Sequence, residues 1–495
     1  MQSNGESLRK VSHNTITVSK VNEVYVKIHC DRGEAMEISE YFTFYVPGYK
    51  FMPAFKNKVW DGKIRLFNMQ NHNIYYGLLP YLENFCGERD YKIQYDTSID
   101  LADEFSLNEA EEFAKTLNLP FEARDYQLNA FVYAIRNRRG LLLSPTASGK
   151  SLIVYLITRF LKCKTLIIVP TISLVSQMYK DFKDYGFDSD TYCHTITGGS
   201  EKITKKPIVI STWQSIYKLP QEWFAQYDLV IGDEAHLFKA QSLTKIMTNL
   251  TDCGYRFGLT GTLDGTQTHR LVLEGLFGRV KNVTTTKELI DSKKLADFKI
   301  KALILKHSET SCEANKKSKY QEEIEFLISS QERNKFITNL TISLKNNTLV
   351  LYQFVHKHGQ PLYEMISNKA GDRKVFFVHG GVEAEEREMV REVTEKEENA
   401  IIIASYGTFS TGINIKRLHN IVFASPSKSK IRTLQSIGRV LRLGENKEKA
   451  TLFDIADDLT YKSRKNFTLE HFVERMKIYN EEKFEYKIYS FNLKG

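Results

Sequence analysis

Two stretches of the chain alternate short apolar runs with segments of helical periodicity. In the first, the runs are Leu141–Leu143, Thr165–Val169, Ile208–Ser211, Leu229–Ile231 and Phe257–Leu259. In the second they are Thr348–Phe354, Lys374–Val378, Ala400–Ala404, Asn420–Ala424 and Thr451–Asp454. Continuous apolar runs separated by helices are the mark of parallel strands covered on both faces. The pattern predicts two parallel α/β sheets. Between them lies a charged segment, about 308–335, that reads mainly as helix and places a domain boundary near 280–310. Residues 1–95 read differently, because TITV, EVYVKIHC and NIYYGLLPYL look like strands separated by turns. Residues 100–118 predict an acidic amphipathic helix, and the last thirty predict a helix with a short extended tail. The expected organisation is a small β-rich (α+β) domain over 1–95, α/β domains over 96–290 and 291–464, and a helical, aromatic-basic tail over 465–495.

Composition agrees with that division and narrows the setting. A chain of 495 residues fits about three domains. No apolar run approaches the ~18 residues of a membrane span. The opening MQSNGESLRK lacks a signal core. The six cysteines are scattered without a CxxC pair, which predicts free thiols in a reducing compartment and argues against a zinc site. The net charge of +9 is modest and identifies no partner by itself. Its distribution says more. The first hundred residues carry 12 basic and 12 acidic groups, yet Phe44 to Phe67 holds Lys50, Lys56, Lys58, Lys63 and Arg65 against Asp61 alone. Phe44, Tyr45, Tyr49, Phe51, Phe55, Trp60 and Phe67 are interleaved with them. Cations and rings together can hold phosphates and stack bases, which makes Lys56, Lys58, Trp60, Lys63 and Arg65 candidate nucleic-acid contacts. The same residues also fit the core of a small domain with a solvated lysine face. Trp60 to Lys63, WDGK, reads as a hairpin turn.

The sharpest chemistry is local. Ser144, Pro145, Thr146, Ala147, Ser148, Gly149, Lys150 and Ser151 follow one predicted strand and precede a helical run. Such a turn aims successive backbone N–H groups at phosphates, with Lys150 reaching the β and γ groups and Ser151 placed to ligate Mg2+. Asp233-Glu234-Ala235-His236 closes another strand. An acid at that place holds Mg2+, partly through water, and the adjacent Glu234 can polarise an attacking water. In the second α/β series, Gln435, Arg439 and Arg442 lie on a predicted helix, the two arginines three apart and so on one face. Arginines on a facing domain can stabilise charge developing on a γ phosphate.

In this order the motifs resemble those of superfamily 2 helicases of the DEAH-box/DExH type, over about residues 120–460. The resemblance implies two RecA-like motor domains using ATP and Mg2+. It assigns adenine recognition to Arg124-Asp125-Tyr126-Gln127. It assigns nucleic-acid backbone contact to Pro170, Thr171 and Gln177, to Gly198 and Gly199, to Thr212, to His379 and Gly380, and to Thr411. It links ATP state to strand movement through His236, Thr260 and Thr262, and sets Gly412 close to the nucleotide. Ser144 replaces a common glycine or alanine, and Asn414 stands where many relatives have aspartate. The resemblance further implies a 3′–5′ helicase or translocase in phage recombination, repair and replication control. Its expected substrates are branched DNA (Holliday junctions, forks, D-loops and R-loops), single-stranded DNA and RNA–DNA hybrid. Expected partners are a single-strand-binding protein or recombination proteins. It implies a monomer in the cytoplasm of an infected bacterial host. A double-stranded DNA translocase, an RNA helicase and a binding protein with an inactive ATPase core are the alternatives. The lack of a Pro-Asp dipeptide removes the common nuclease signature.

Overall fold

The structure is a computed structural model that describes residues 15–99, 103–237, 240–263, 266–412, 415–425, 429–444 and 447–493. The chain forms two compact units. One runs to Ser144 and from Gly149 to Val283, and the other comprises Pro145–Ser148 and Thr284 onward.

The first unit opens with a small mixed sheet. Its strands are β1 (Thr15–Lys20), β2 (Tyr25–His29), β5 (Phe67–Asn68), β6 (Asn73–Tyr75) and β7 (Lys92–Tyr95), in the order β5-β6-β2-β1-β7. Alternation sets its core: Ile16 and Val18 of β1 and Val26 and Ile28 of β2 point inward onto Ile38, Leu82 and Phe85 of two helices. A separate ribbon pairs β3 (Thr43–Tyr45) with β4 (Lys63–Arg65), antiparallel. Residues 46–62 run between its strands through a 3₁₀ turn and the short helix Pro53–Lys56. WDGK is therefore not the tip of a tight hairpin. It is the return into β4 from a long excursion, because β4 pairs with residues 43–45 rather than with its immediate neighbours.

A seven-stranded parallel sheet follows, in the order β10-β11-β9-β12-β13-β8-β14. The five predicted runs become β8 (Arg139–Leu143), β9 (Thr165–Val169), β11 (Ile208–Thr212), β12 (Leu229–Gly232) and β13 (Tyr255–Thr260). Two short strands are added, β10 (Cys193–Ile196) and β14 (Val280–Asn282). The acidic helix is shorter than expected, Leu107–Thr116, because Ser106 and Glu109 form a capping box that sets its start.

The small sheet domain is docked on this α/β domain. Leu271 is buried in the small domain's core. Tyr81 donates to Glu274 at 2.5 Å, and a Cβ on Gly77 would lie 2.0 Å from the Glu274 carbonyl. Arg139, the first residue of β8, pairs with Glu23 at 2.8 Å and lies 3.8 Å over the Tyr76 ring. One buried cation braces the α/β domain from within. Arg256, fully buried on β13, donates to the carbonyls of Met247, Leu250 and Leu276 at 2.6, 2.8 and 3.0 Å.

The second unit is another seven-stranded parallel sheet, in the order β17-β18-β16-β19-β20-β15-β21. The predicted runs are β16 (Thr348–Tyr352), β17 (Val375–Val378), β18 (Ile401–Ser405), β19 (Asn420–Phe423) and β20 (Lys449–Asp458). β15 (Asp297–Lys306) pairs with β20 along its whole length. The charged 308–335 region holds the helices Glu309–Ala314 and Tyr320–Ser329 and the start of Gln331–Ser343. The C-terminal segment is built into the sheet. The helix Phe467–Glu481 is anchored by Arg475 and Tyr479 on buried Asp454, and β21 (Tyr486–Asn492) forms the edge strand beside β15. A second buried cluster joins Arg333 and His307 to Asp457 at 2.9 and 3.0 Å. All six cysteines are free thiols, and among the described residues no helix is long and apolar enough to cross a membrane.

Candidate nucleotide and nucleic-acid sites

Parallel strands leave their C-terminal ends along one edge of a sheet, where loops and helix N-termini gather. In the first sheet the motifs divide along that edge. β8, β12 and β13 are close neighbours, and their ends carry the phosphate loop, the Asp233–His236 segment and Thr260. β10, β11 and β9 adjoin on the other half, and their ends carry Thr197–Gly199, Thr212 and Pro170–Thr171.

The phosphate loop is shaped by its own backbone. Ser144 N–H bonds the Thr260 carbonyl at 2.9 Å, which ties the loop's start to β13. Ser148 Oγ donates to Pro145 O at 2.7 Å. Gly149 has φ +79, and a Cβ there would fall 2.5 Å from the Gln127 amide. Gln127 is buried and bridges two segments: its oxygen accepts from Arg124 N–H at 2.9 Å, and its NH2 donates to Gly149 O at 3.2 Å. The expected adenine reader thus also supports the phosphate loop. The Arg124 guanidinium bonds the Tyr126 hydroxyl at 2.7 Å.

At the start of the following helix, Lys150–Leu161, the Lys150 ammonium donates to Glu234 at 2.9 Å. Ser151 Oγ shares a hydrogen bond with the Tyr185 hydroxyl at 2.7 Å. Glu234 has a left-handed backbone, φ +50, a strained conformation for a residue with a Cβ. Asp233 is 8% exposed, and its Oδ1 is buried with no hydrogen-bond partner among the described residues. Burial, and then the adjacent Glu234 charge, hold its carboxyl above the usual carboxylate range. A buried carboxylate with an open oxygen and raised proton affinity fits a cation ligand, so the residues present suit Mg2+.

His236 carries this site to the end of β13. Its Nδ1 lies 2.5 Å from Thr260 Oγ, and Thr260 donates its only hydroxyl proton to the Thr262 carbonyl at 2.8 Å. His236 therefore donates from Nδ1 to Thr260.

On the other half of the edge, Thr171 caps the helix Ile172–Asp184 and shares a bond with Ser173 at 3.0 Å. Gln214 donates to the Pro170 carbonyl at 3.2 Å, joining two of the expected contact segments. Thr212 Oγ bonds Ser215 at 2.9 Å. Gln177, Gly198 and Gly199 are exposed, and a Cβ on either glycine would meet nothing.

The second sheet divides in the same way. His379 and Gly380 follow β17, and Thr411 and Gly412 end the helix Tyr406–Gly412 after β18, its neighbour strand. His379 Nδ1 accepts from Gly381 N–H at 3.1 Å. Asn414 lies outside the described residues, as do the side chains of Ser410 and Thr411. Gln435 and Arg439 ride on the helix Lys430–Val440 beyond β19, with the Arg439 guanidinium 5.6 Å from the Phe409 ring centre. Arg442 does not share their helix face, because the helix ends at Val440 with Leu441 as its cap. Lys447, which no motif marks, holds this exit: its buried side-chain nitrogen donates to the carbonyls of Val440, Arg442 and Lys416 at 2.5, 2.8 and 2.9 Å.

In the N-terminal domain, Lys56, Lys58 and Arg65 are exposed and Lys63 half-buried, with the Lys63 ammonium 4.9 Å from the Tyr45 ring centre. Trp60 donates to Lys63 O at 2.8 Å, and Arg65 pairs with Asp61 at 2.5 Å, so both also serve the ribbon itself.

Three family models match successive parts of the chain: "DNA helicase UvsW, N-terminal" at 16–96, "Type III restriction enzyme, res subunit" at 120–265 and "Helicase conserved C-terminal domain" at 331–444. The chain is 35% identical to the ATP-dependent DNA helicase uvsW of Enterobacteria phage T4, covering 95% of this chain and 98% of that protein. The crystal structure of T4 UvsW matches with a TM-score of 0.52 at 34% identity, covering 97% of this chain and 100% of that one. A DNA 3′-5′ translocase, XPB2 of Sulfurisphaera tokodaii, is 26% identical over 68% of this chain and 81% of its own length.

Proposed function

The chain belongs to the UvsW-type DNA helicases of superfamily 2, and on that premise we propose that it moves 3′ to 5′ along one strand to remodel branched DNA. As a member of that family it is an ATP-dependent helicase with two RecA-like domains. The observation that carries the finer reading is the 35% identity over 98% of the phage T4 helicase, supported by the likeness to a DNA 3′-5′ translocase. The expected hydrolytic segments follow one set of strands and the expected backbone-contact segments the neighbouring set, an order that suits coupling of ATP to strand movement.

Lys150 and the loop N–H groups bind the β and γ phosphates, with Arg124 and Gln127 on the adenine side. Asp233 and Ser151 would hold Mg2+, which would supply positive charge beside the phosphates. Glu234 orients a water and accepts its proton as the water oxygen bonds to the γ phosphorus. The bond from that phosphorus to the bridging oxygen breaks, and ADP leaves. Arg439, on the helix that also carries Gln435, and Arg442, past that helix's end, balance the charge that develops on the transferred group. His236, bonded to Thr260, passes the state of the phosphate end to β13, and Thr262 completes that link. Pro170, Thr171, Gln177, Gly198, Gly199, Thr212, His379, Gly380 and Thr411 hold phosphates of one strand without reading bases. Lys56, Lys58, Lys63 and Arg65 add a contact outside the motor. Forks, Holliday junctions, D-loops and R-loops are the substrate class, with a monomer acting in the host cytoplasm.

Glu234→Gln tests the chemistry. Turnover should fall by about 10²–10⁴-fold, the weight of a positioned base, with ATP binding retained. Near-normal turnover rejects the assignment. The substrate is tested by ATP-driven unwinding of a four-way junction, a fork, an RNA–DNA hybrid and duplex RNA. Preference for duplex RNA, or movement on duplex DNA without strand separation, rejects the branched-DNA reading. Point variants suit the N-terminal domain better than truncation, because Leu271 of the α/β domain is buried in that domain's core.

A further inference from the structure

Residues 46–62, held between β3 and β4, form a lobe apart from the five-stranded sheet. Its rings meet one another rather than a buried core: Tyr45 at its base, 55% exposed, stacks on half-buried Tyr49 at 4.7 Å, and half-buried Phe55 meets Tyr49 edge-on at 4.7 Å. Gly62 lets the ring lie on the returning backbone, with φ +81 and a would-be Cβ 2.2 Å from Tyr49. The Trp60 bond to Lys63 O then fastens that return.

The surface of the lobe is left without apolar partners. Phe51 is 80% exposed, Val59 81% and Met52 37%. Lys50, Lys56 and Lys58 are exposed beside them in sequence. Asp61 is the only acid within 46–62, and Arg65 engages it through both carboxylate oxygens. The lobe therefore presents an aromatic ring with nothing packed on it amid uncompensated positive charge. A protein-docking face calls for contiguous apolar surface with charge kept to its rim. Here Lys50, Lys56 and Lys58 alternate along the chain with exposed Phe51, Met52 and Val59 rather than standing apart from them. The ligand that offers flat apolar faces flanked by closely spaced negative charge is nucleic acid with an unstacked or terminal base.

We infer that the 46–62 lobe is a branch-point wedge: Phe51 stacks on the exposed base face where a DNA duplex opens, and Lys50, Lys56 and Lys58 hold the flanking phosphates. The inference rests on the branched-DNA reading above and separates the N-terminal domain's task from the motor's. The motor grips a strand through its phosphates, whereas the wedge touches bases only where stacking is interrupted.

The test uses the full-length protein and a fork with 2-aminopurine at the branch. Wild type, Phe51→Ala, Phe51→Trp and a Lys50→Gln, Lys56→Gln, Lys58→Gln triple variant are compared. The readouts are 2-aminopurine fluorescence on binding without ATP, fork strands opened per ATP hydrolysed, and turnover on plain single-stranded DNA. Wild type should change the fluorescence of the branch base. Phe51→Ala should lose that signal and open forks about tenfold less per ATP, the scale of one lost base–ring stack. Phe51→Trp should restore both. The triple variant should flatten the salt dependence of fork binding by about 2 to 3 in log–log slope. A Phe51→Ala protein that opens forks as efficiently per ATP as wild type overturns the wedge alone. So does one whose loss is proportionate to lost single-strand turnover, which marks the lobe as structural. So does one that handles naked forks normally but fails to recruit a single-strand-binding protein. A wild type that moves on single strands yet neither perturbs the branch base nor opens forks overturns the branched-DNA reading itself.

Discussion

Replacing Arg256 with Met removes a cation from the interior of the first α/β domain while keeping most of the volume. The guanidinium holds three carbonyls, two of them at the C-terminal ends of the helices Ala240–Asn249 and Gln267–Phe277. No carboxylate pairs with it among the described residues, so its charge is met by oriented carbonyls at helix ends. Burial lowers its pKa only to about 10, and it stays charged at neutral pH. Each carbonyl left without a donor costs roughly 1–3 kcal/mol. Relief from burying a charge and the apolar stem of Met offset part of that, at about 2 kcal/mol for the stem. The net expectation is a loss of about 4 kcal/mol, the balance of three orphaned carbonyls against the stem. Tryptophan fluorescence in urea is the assay, because Trp60, Trp213 and Trp223 all lie in the first unit. With a urea slope of about 2 kcal/mol per molar, the midpoint should fall by about 2 M. Arg256→Lys keeps the charge but not the three-pronged geometry and should fall between. A midpoint shift under ~0.5 M, near 1 kcal/mol on that slope, would refute the reasoning and show that the carbonyls are as well served by water.

Two further outcomes concern the second unit. Lys447→Met should free the end of the helix Lys430–Val440 and lower ATPase kcat about tenfold with a smaller change in KM. Lys447→Arg should recover part of the rate, and kinetics that split the other way count against a positioning role. Asp457 is raised by burial but more strongly lowered by the Arg333 charge and by His307, to about 2. Because its folded pKa is depressed, its contribution of roughly 2 kcal/mol is present above the unfolded value near 3.9 and lost as pH falls toward 2. Asp457→Asn should remove that acid transition in far-UV circular dichroism and lower stability at pH 7.

The ten apolar runs were legible because strands covered on both faces have no polar side to interrupt them. β9 and β11, Thr165–Val169 and Ile208–Thr212, are buried at every position. Strands with an exposed face were harder to see. β15 places Lys299 and Lys301 between buried Phe298, Ile300 and Ala302, and β21 on the sheet edge is largely exposed. β14 has only three residues. The contact between Lys150 and Glu234 joins two segments that local motifs mark in the sequence. Lys447 and Arg256 were not legible, since their partners are backbone carbonyls supplied by distant turns that leave no mark in residue type. Helical spacing sets Arg442 beside Arg439, whereas the helix stops at Val440 and the exit is held by Lys447, five residues beyond Arg442.

β8 is a strand of only five residues, Arg139–Leu143, roughly 17 Å long at ordinary rise. At one end Arg139 is clasped by the N-terminal domain, and at the other Ser144 begins the phosphate loop. An extended strand barely stretches under tension, whereas a loop would go slack. The N-terminal domain and the Ser144–Ser151 loop are therefore joined through one short stiff strand, and a displacement of Arg139 by that domain would reach Ser144 with little slack.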